Sequence, residues 1–236
     1  MHELDNKLDF LIYSSHKTAT QTTISLLKDI YNVIHIHGLK DLTNNYNSDK
    51  LFINFLKDYK ITNRKKLKIL SIIRSPIDRL ISSFFQTFND DEIFFMNKEI
   101  NETTISINNE KELYNNLKNK IYNDGYDMPG YKESIDEISE IFDIQILDLL
   151  QKKKNYYYYQ NELFELYVLD FNKLCSKDNY IYINNILNIN ISHYVYDNLS
   201  KNKSYYTKYI NTKKLIDKEL TSLIETKFNS FYFNAF

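Results

Sequence analysis

The apolar positions of this 236-residue chain fall into short runs and helical stripes that alternate along its length. Residues 8–15 (LDFLIYSS) form an apolar run closed by small polar residues, the pattern of a strand buried on both faces. A threonine-rich stretch follows at 16–23, and Ile24, Leu27 and Ile30 then recur at helical spacing, so strand, polar turn and helix make a βα unit. Residues 32–37 (NVIHIH) read as a second strand stopped at Gly38, 49–59 as a helix, and 67–73 (LKILSII) as a third buried strand. Pro76 then occupies the first position of a helix that runs to about Phe88.

Beyond that point the pattern loosens. Residues 89–110 are polar and predict a loop; 111–123 and 132–142 predict helices around an irregular DGYDMPGY segment. Tyr156–Gln160 and residues 164–171 predict a strand pair joined by a short turn, and the C-terminal third predicts a polar loop at 197–204 and a helix over 213–229. No repeat or Pro/Gly/Ser-rich linker divides the chain, so residues 1–236 are expected to form one domain. Alternating helices and buried strands predict an α/β fold of three layers, a central parallel sheet flanked by helices.

Composition narrows the functional classes. Thirty Lys and Arg against 31 Asp and Glu leave a net charge of −1, which argues against a nucleic-acid partner bound over a broad basic face. Cys175 is the one cysteine, so no internal disulfide framework exists, and after a strand it reads as a small core residue. No run approaches the ~18 apolar residues of a membrane span, and the first residues lack a basic stretch followed by an apolar one. A soluble, cytoplasmic protein is expected. Three arginines stand in a lysine-rich chain (Arg64, Arg74, Arg79), which draws attention to places where a planar bidentate fork is wanted.

Three segments carry chemistry, and each follows a predicted strand, where ligands of such sheets bind. In residues 14–23 (SSHKTATQTT), Lys17 in a strand-to-helix turn, with hydroxyls and helix N–H groups after it, forms an anion cradle. It lacks the glycines of a Walker A loop, and the alternative is that Thr18 or Thr20 only caps the helix. In residues 73–84 (IRSPIDRLISSF), Arg74 at a strand end and Ser82 eight residues on could hold one phosphate from two sides, whereas Arg79 is read as pairing with Asp78 or a nearby carboxylate. In residues 33–38 (VIHIHG), His35 and His37 point to one side of a strand. A histidine there could take a proton near neutral pH. A metal pair would need a third ligand that neither His16 nor His193 is spaced to supply, and a structural role stays open for either histidine. The Tyr156–Tyr159 run reads as a strand with one packed face.

Together these residues resemble a known family. Lys17-Thr18-Ala19-Thr20-Gln21-Thr22 resembles the 5′-phosphosulfate loop of carbohydrate sulfotransferases, which reads lysine-threonine-alanine-serine-threonine-serine. Arg74-Ser75-Pro76-x-x-Arg79-x-x-Ser82 resembles their 3′-phosphate motif, R-[DS]-P-x-x-R-x-x-S. Asn198-x4-Lys203-Ser204-Tyr205-Tyr206-x-x-Tyr209 is similar to the tail of bacterial sulfotransferase-like proteins linked to capsular polysaccharide synthesis, and 135–142, Tyr156–Gln160 and 164–174 follow that group's order of helix, strand and strand. His16 replaces the commoner proline before the lysine, and the loop lacks a glycine that many members have.

The resemblance implies a P-loop-like sulfotransferase using 3′-phosphoadenosine 5′-phosphosulfate (PAPS). Ser15, His16, Lys17, Thr18, Ala19, Thr20, Gln21 and Thr22 would surround the 5′-phosphosulfate, Arg74 and Ser82 the 3′-phosphate, and Lys203 and Tyr205 the nucleotide. Lys17 would stabilise the leaving oxygen, and His35 or His37 would act as base, as in the histidine-x-histidine pair of uronyl 2-O-sulfotransferases. The acceptor would be a carbohydrate hydroxyl, and no metal is required. A nucleotide-dependent phosphotransferase of related fold and a non-catalytic polysaccharide-assembly protein are the competing readings.

Overall fold

The computed structural model describes residues 7–15, 18–41, 48–86, 111, 114–115, 117–119, 133–195, 210–211, 213–226 and 228–236. Its strands are β1 (Phe10–Tyr13), β2 (Val33–Ile36), β3 (Leu67–Ile73), β4 (Gln151–Lys152), β5 (Tyr156–Gln160) and β6 (Phe164–Asp170). Its helices are α1 (Thr20–Leu27), α2 (Ser48–Asn63), α3 (Pro76–Gln86), α4 (Ser134–Phe142), α5 (Ile146–Leu149), α6 (Phe171–Leu174), α7 (Asn179–Leu187), α8 (Lys218–Glu225) and α9 (Phe231–Asn234), with a 3₁₀ turn at Leu39–Asp41. The chain divides into two compact units: residues 1–73, 129–198 and Phe236 form one, and 74–128 with 199–235 the other.

The first unit is α/β. Its six strands form one sheet in the order β2-β1-β3-β6-β5-β4. β2, β1, β3 and β6 run parallel, whereas β5 lies antiparallel to β6 and β4 antiparallel to β5. The sheet is therefore mixed, not wholly parallel as expected. The physical reason is the short turn after Gln160: a few residues can close a hairpin, whereas a parallel crossover needs a dozen or more.

Register explains how the sheet buries both faces. Phe10, Ile12, Leu70, Ile72, Tyr167 and Leu169 share one face and pack with Leu26 and Leu27 of α1, Leu174 of α6 and Tyr182, Ile183, Ile186 and Leu187 of α7. On the other face, Tyr13 meets Phe52 of α2 edge-on at 6.2 Å, and the Ser71 and Ser134 hydroxyls lie 2.7 Å apart. Phe52, Leu56 and Tyr59 recur along the buried side of α2, and the Tyr59 hydroxyl donates to Leu8 O at 2.7 Å. Helices thus cover both faces of the sheet.

Several expectations shift at the ends of elements. In α1 the buried positions are Thr20, Thr22, Thr23, Leu26 and Leu27, while Ile30 lies past the helix and is 54% exposed. Thr23 can stand in the core because its hydroxyl donates to Ala19 O at 3.2 Å, leaving only its methyl to pack. Residue 171 begins α6 instead of ending a strand: the Asp170 carboxylate accepts from Asn172 N and caps that turn. α5, α6, α7, α9 and the short β4 lie outside the elements that the sequence predicts. The helix expected over 213–229 is divided: 213–214 are helical, the chain breaks at 215–217, and α8 follows with its N-cap Asp217 accepting from Leu220 N at 2.8 Å.

With glycine scarce, the residues just past α2, α4 and α7 are Arg64, Asp143 and Asn188, all left-handed with φ of 50–53°. The expected loop at 89–110, the DGYDMPGY segment and the polar loop at 197–204 lie outside the described residues. Of 111–123, the described residues are helical. No helix among the described residues is long and apolar enough to cross a membrane.

Within the second unit, α3 starts at Pro76 as expected. The Asp78 carboxylate forms an ion pair with Lys213. Arg79 is fully buried, 0% exposed, with its guanidinium 5.3 Å from the Phe228 ring.

Candidate functional site

The connections from β1 choose the place. α1 leads from β1 to β2 over one face of the sheet, whereas α2 leads from β2 to β3 over the other, so the chain changes faces between the neighbouring strands β1 and β3. The carboxyl ends of such a strand pair mark the switch point where ligands of open α/β sheets bind. Ser14 lies there, immediately after β1.

Ser14 uses every polar group it has. Its N–H donates to Ile36 O at 3.1 Å and carries the β1–β2 pairing one step further. Its hydroxyl accepts from Ile72 N and donates to Ile72 O of β3, both at 3.1 Å, and lies 2.7 Å from the Thr18 hydroxyl, which donates to Ser15 O at 2.7 Å. A buried set of polar contacts thus links β3 through Ser14 and Thr18 to the loop.

The described serine and threonine residues of the loop are buried. Ser15 is buried and its hydroxyl donates to the Glu133 carboxylate at 3.0 Å, and Glu133 itself is 4% exposed. Thr20 and Thr22 are also buried, while Gln21 is exposed. The N-cap of α1 is Ala19, in the left-handed conformation with φ 59° and ψ 29°. The alternative of a helix capped by Thr18 therefore falls away, since the Thr18 hydroxyl serves Ser15 O and Ala19 has no group to cap with. What this end of α1 presents is backbone N–H groups, and a left-handed residue is one half of the αR–αL arrangement that gathers such groups around an anion. His16 and Lys17 lie outside the described residues.

Ala19 also shows where the missing glycine is felt. A left-handed alanine costs about 1–2 kcal/mol, of which glycine's larger unfolded-state freedom returns roughly half. Ala19→Gly is expected to stabilise the fold by about 0.5–1 kcal/mol. Chemical denaturation checks it, and a variant less stable than wild type would contradict the left-handed geometry.

The histidine pair lies beside the same strand end. The rings of His35 and His37 meet edge to face with centroids 4.2 Å apart, so the expected common side is observed. β2 ends at Ile36, which puts His37 one residue past it, where the chain turns through Gly38 into the 3₁₀ turn. His37 Nδ1 lies 2.9 Å from Ser14 O. A carbonyl only accepts, so Nδ1 carries the hydrogen, and in the neutral ring Nε2 carries the lone pair. Asp41 closes the turn: its carboxylate accepts from His37 N at 2.6 Å and Gly38 N at 3.3 Å.

A second carboxylate reaches the turn from α4. Glu137 accepts from the buried Tyr13 hydroxyl at 2.5 Å and from Leu39 N at 3.4 Å. Burial, and then the negative charge of Glu137, push the Tyr13 phenol well above the usual tyrosine range, so it remains a donor at neutral pH. Among the described residues, no three His, Cys, Asp or Glu side chains group to hold a metal ion.

Arg74 and Ser82 belong to the second unit. Arg74 is half-buried two residues before α3, and Ser82 is half-buried in that helix's second turn. Lys203 and Tyr205 lie outside the described residues. Cys175 is half-buried at the end of α6, and the Tyr156–Tyr159 run forms β5 with Tyr159 buried. Sequence reasoning missed Tyr13, Asp41, Glu133 and Glu137. Only Asp41, four residues after His37 across a glycine, left a local signal.

No protein-family model matches the chain, and no curated protein or solved structure matches it.

Proposed function

We propose that this chain is a sulfotransferase that moves the sulfuryl group of PAPS to a carbohydrate hydroxyl, on a three-layer P-loop-like fold. The observation that carries the reading is the strand end at Ser14. It joins a loop of buried serine and threonine residues, with a left-handed entry into α1, to a histidine whose Nδ1–H is committed to Ser14 O.

In this mechanism the loop at 15–22 binds the 5′-phosphosulfate through its N–H groups and Lys17, a role that Lys17 takes from its motif. Arg74 and Ser82 take the 3′-phosphate on the same ground. His37 Nε2 accepts the proton of the acceptor hydroxyl while that oxygen forms its bond to sulfur. The bond from sulfur to the bridging oxygen of the 5′-phosphate breaks, and adenosine 3′,5′-bisphosphate leaves with the electron pair, its charge countered by Lys17. His35 sits edge-on to the base and orients the sugar. The resemblance to capsule-linked proteins favours a cell-surface polysaccharide or its precursor as acceptor.

Ligand-dependent melting tests the reading. Adenosine 3′,5′-bisphosphate is expected to raise the melting temperature more than AMP, ADP or ATP at equal concentration. At a hundredfold excess over Kd the stabilisation is about 2.7 kcal/mol. Arg74→Lys should shrink that shift although it keeps the charge, because losing a bidentate charge-assisted contact costs roughly 1.5–3 kcal/mol. Equal shifts from AMP and the bisphosphate would refute the 3′-phosphate assignment. A larger shift with ATP would favour the phosphotransferase, and bisphosphate binding without transfer to any acceptor the assembly protein.

A further inference from the structure

Two carboxylates hold the short segment that carries His37, and they do so from different elements. Asp41, on the 3₁₀ turn itself, accepts from His37 N and Gly38 N. Glu137 lies far along the chain, in the first turn of α4, and splits its two oxygens. Oε2 takes the Tyr13 hydroxyl, one residue before Ser14, and Oε1 takes Leu39 N, two residues after His37. Glu137 therefore ties the strand whose Ser14 carbonyl receives His37 Nδ1 to the turn from which His37 projects. The ring is fixed at both ends of its lever: its nitrogen by Ser14, its backbone by Asp41 and, through Leu39, by Glu137.

Resting on the sulfotransferase reading, we propose that Glu137 is a positioning residue for His37. With Tyr13 it sets the height of the 37–41 turn over the end of β1, so that Nδ1 meets Ser14 O and Nε2 faces the acceptor. The geometry gives this a direction. The Tyr13 side chain is fully buried between the sheet and α2, against Phe52, so its hydroxyl is an anchored point, and the turn is the part that moves when the bridge is cut. A misplacement of about 1 Å between reacting groups can cost on the order of 10²-fold in rate.

Contacts to the His37 turn and its bridge come from His35 on β2, Asp41 on the turn, Tyr13 on β1 and Glu137 on α4, and the charge of Asp49 on α2 also acts on Tyr13. His35 and Asp41 adjoin His37 in sequence, whereas Tyr13 and Glu137 act on it only through folded contacts. Their substitution leaves the local sequence around His37 intact.

The experiment compares the full-length wild type with Glu137→Ala, Glu137→Gln and Tyr13→Phe. Nitrogen-15 NMR of the histidine rings reads the tautomer, with the exposed His193 as internal reference. Transfer of labelled sulfate from PAPS to a panel of unsulfated polysaccharides reads kcat. In wild type His37 should show the Nδ1–H tautomer. Glu137→Ala should mix the tautomers and lower kcat by on the order of 10²-fold, with adenosine 3′,5′-bisphosphate affinity unchanged. Glu137→Gln keeps one acceptor oxygen for Leu39 N and can donate its amide N–H to the Tyr13 oxygen, and should recover much of both signals. Tyr13→Phe should fall between them.

Wild-type tautomer and kcat in folded Glu137→Ala would overturn the proposal. If that variant does not fold, the same wild-type values in Tyr13→Phe would overturn it. A uniform loss of donor affinity in step with folded fraction, without a tautomer change, would do so too and make the bridge purely structural. Failure of the wild type to transfer sulfate would sink the sulfotransferase reading, while the tautomer measurement would still decide whether Glu137 sets the His37 ring.

Discussion

Replacing His37 with alanine is expected to lower kcat by about 10²–10⁴-fold, the usual contribution of a positioned general base. Adenosine 3′,5′-bisphosphate should bind the variant as it binds wild type, because the proposed mechanism gives His37 to the acceptor and the donor contacts to the loop, Arg74 and Ser82. The assignment of His37 over His35 comes from its ring contact. Nδ1 is held by Ser14 O at 2.9 Å, which leaves on Nε2 the lone pair that the proposed base needs. His35→Ala should act mainly on the KM for the acceptor. Steady-state kinetics with a donor-binding isotherm for each variant separates the two. A His37→Ala protein that folds, binds donor and turns over at the wild-type rate would place the base elsewhere, with His16 the next residue to test.

Leu70→Ala is expected to destabilise the first unit by about 2–5 kcal/mol. Leu70 is 0% exposed on β3, paired with Ile12 on one side and Tyr167 on the other, so its side chain packs within the sheet's own face and beneath the helices that cover it. Removing three methyl-equivalents there leaves a cavity that rigid neighbours on both sides cannot close. Urea denaturation followed by circular dichroism measures the loss as a lower midpoint with an unchanged slope. Ile61→Ala, at a residue of α2 that is 76% exposed, is the matching control and should stay within about 0.5 kcal/mol of wild type. A Leu70→Ala cost no larger than that of the control would contradict the placement of β3 in the middle of the sheet.

Both predictions depend on features that were legible in the chain to different degrees. β3 was bounded correctly at both ends, because a run of apolar residues stops at Arg74-Ser75-Pro76, and proline both disfavours a continuing strand and opens a helix. The common side of His35 and His37 was likewise foreseeable, since alternation along an extended chain is a local property. The hairpin of β5 and β6 followed from its short turn. In each case the decisive information lies within a few residues.

Tertiary structure decided the rest. Periodicity put Ile30 of the Ile24, Leu27, Ile30 stripe on the buried face of α1. The folded chain buries Thr23 and Leu26 with Leu27 instead, because the Thr23 hydroxyl is satisfied by Ala19 O and the helix stops before Ile30. The left-handed turn at Ala19 is invisible to a propensity argument, which would assign that conformation to glycine. The carboxylates of the site were out of reach for a simpler reason. Ser15 and Glu133 stand 118 residues apart, and Tyr13 and Glu137 stand 124 apart. Nothing near Glu133 or Glu137 distinguishes them from the chain's other acidic residues. Their partners are set by the path that returns α4 to the face of β1, and that path is chosen by packing of the whole sheet. Local sequence determined which residues could accept a proton or gather an anion; only the fold determined that Ser14 would join them and which histidine would be held in place.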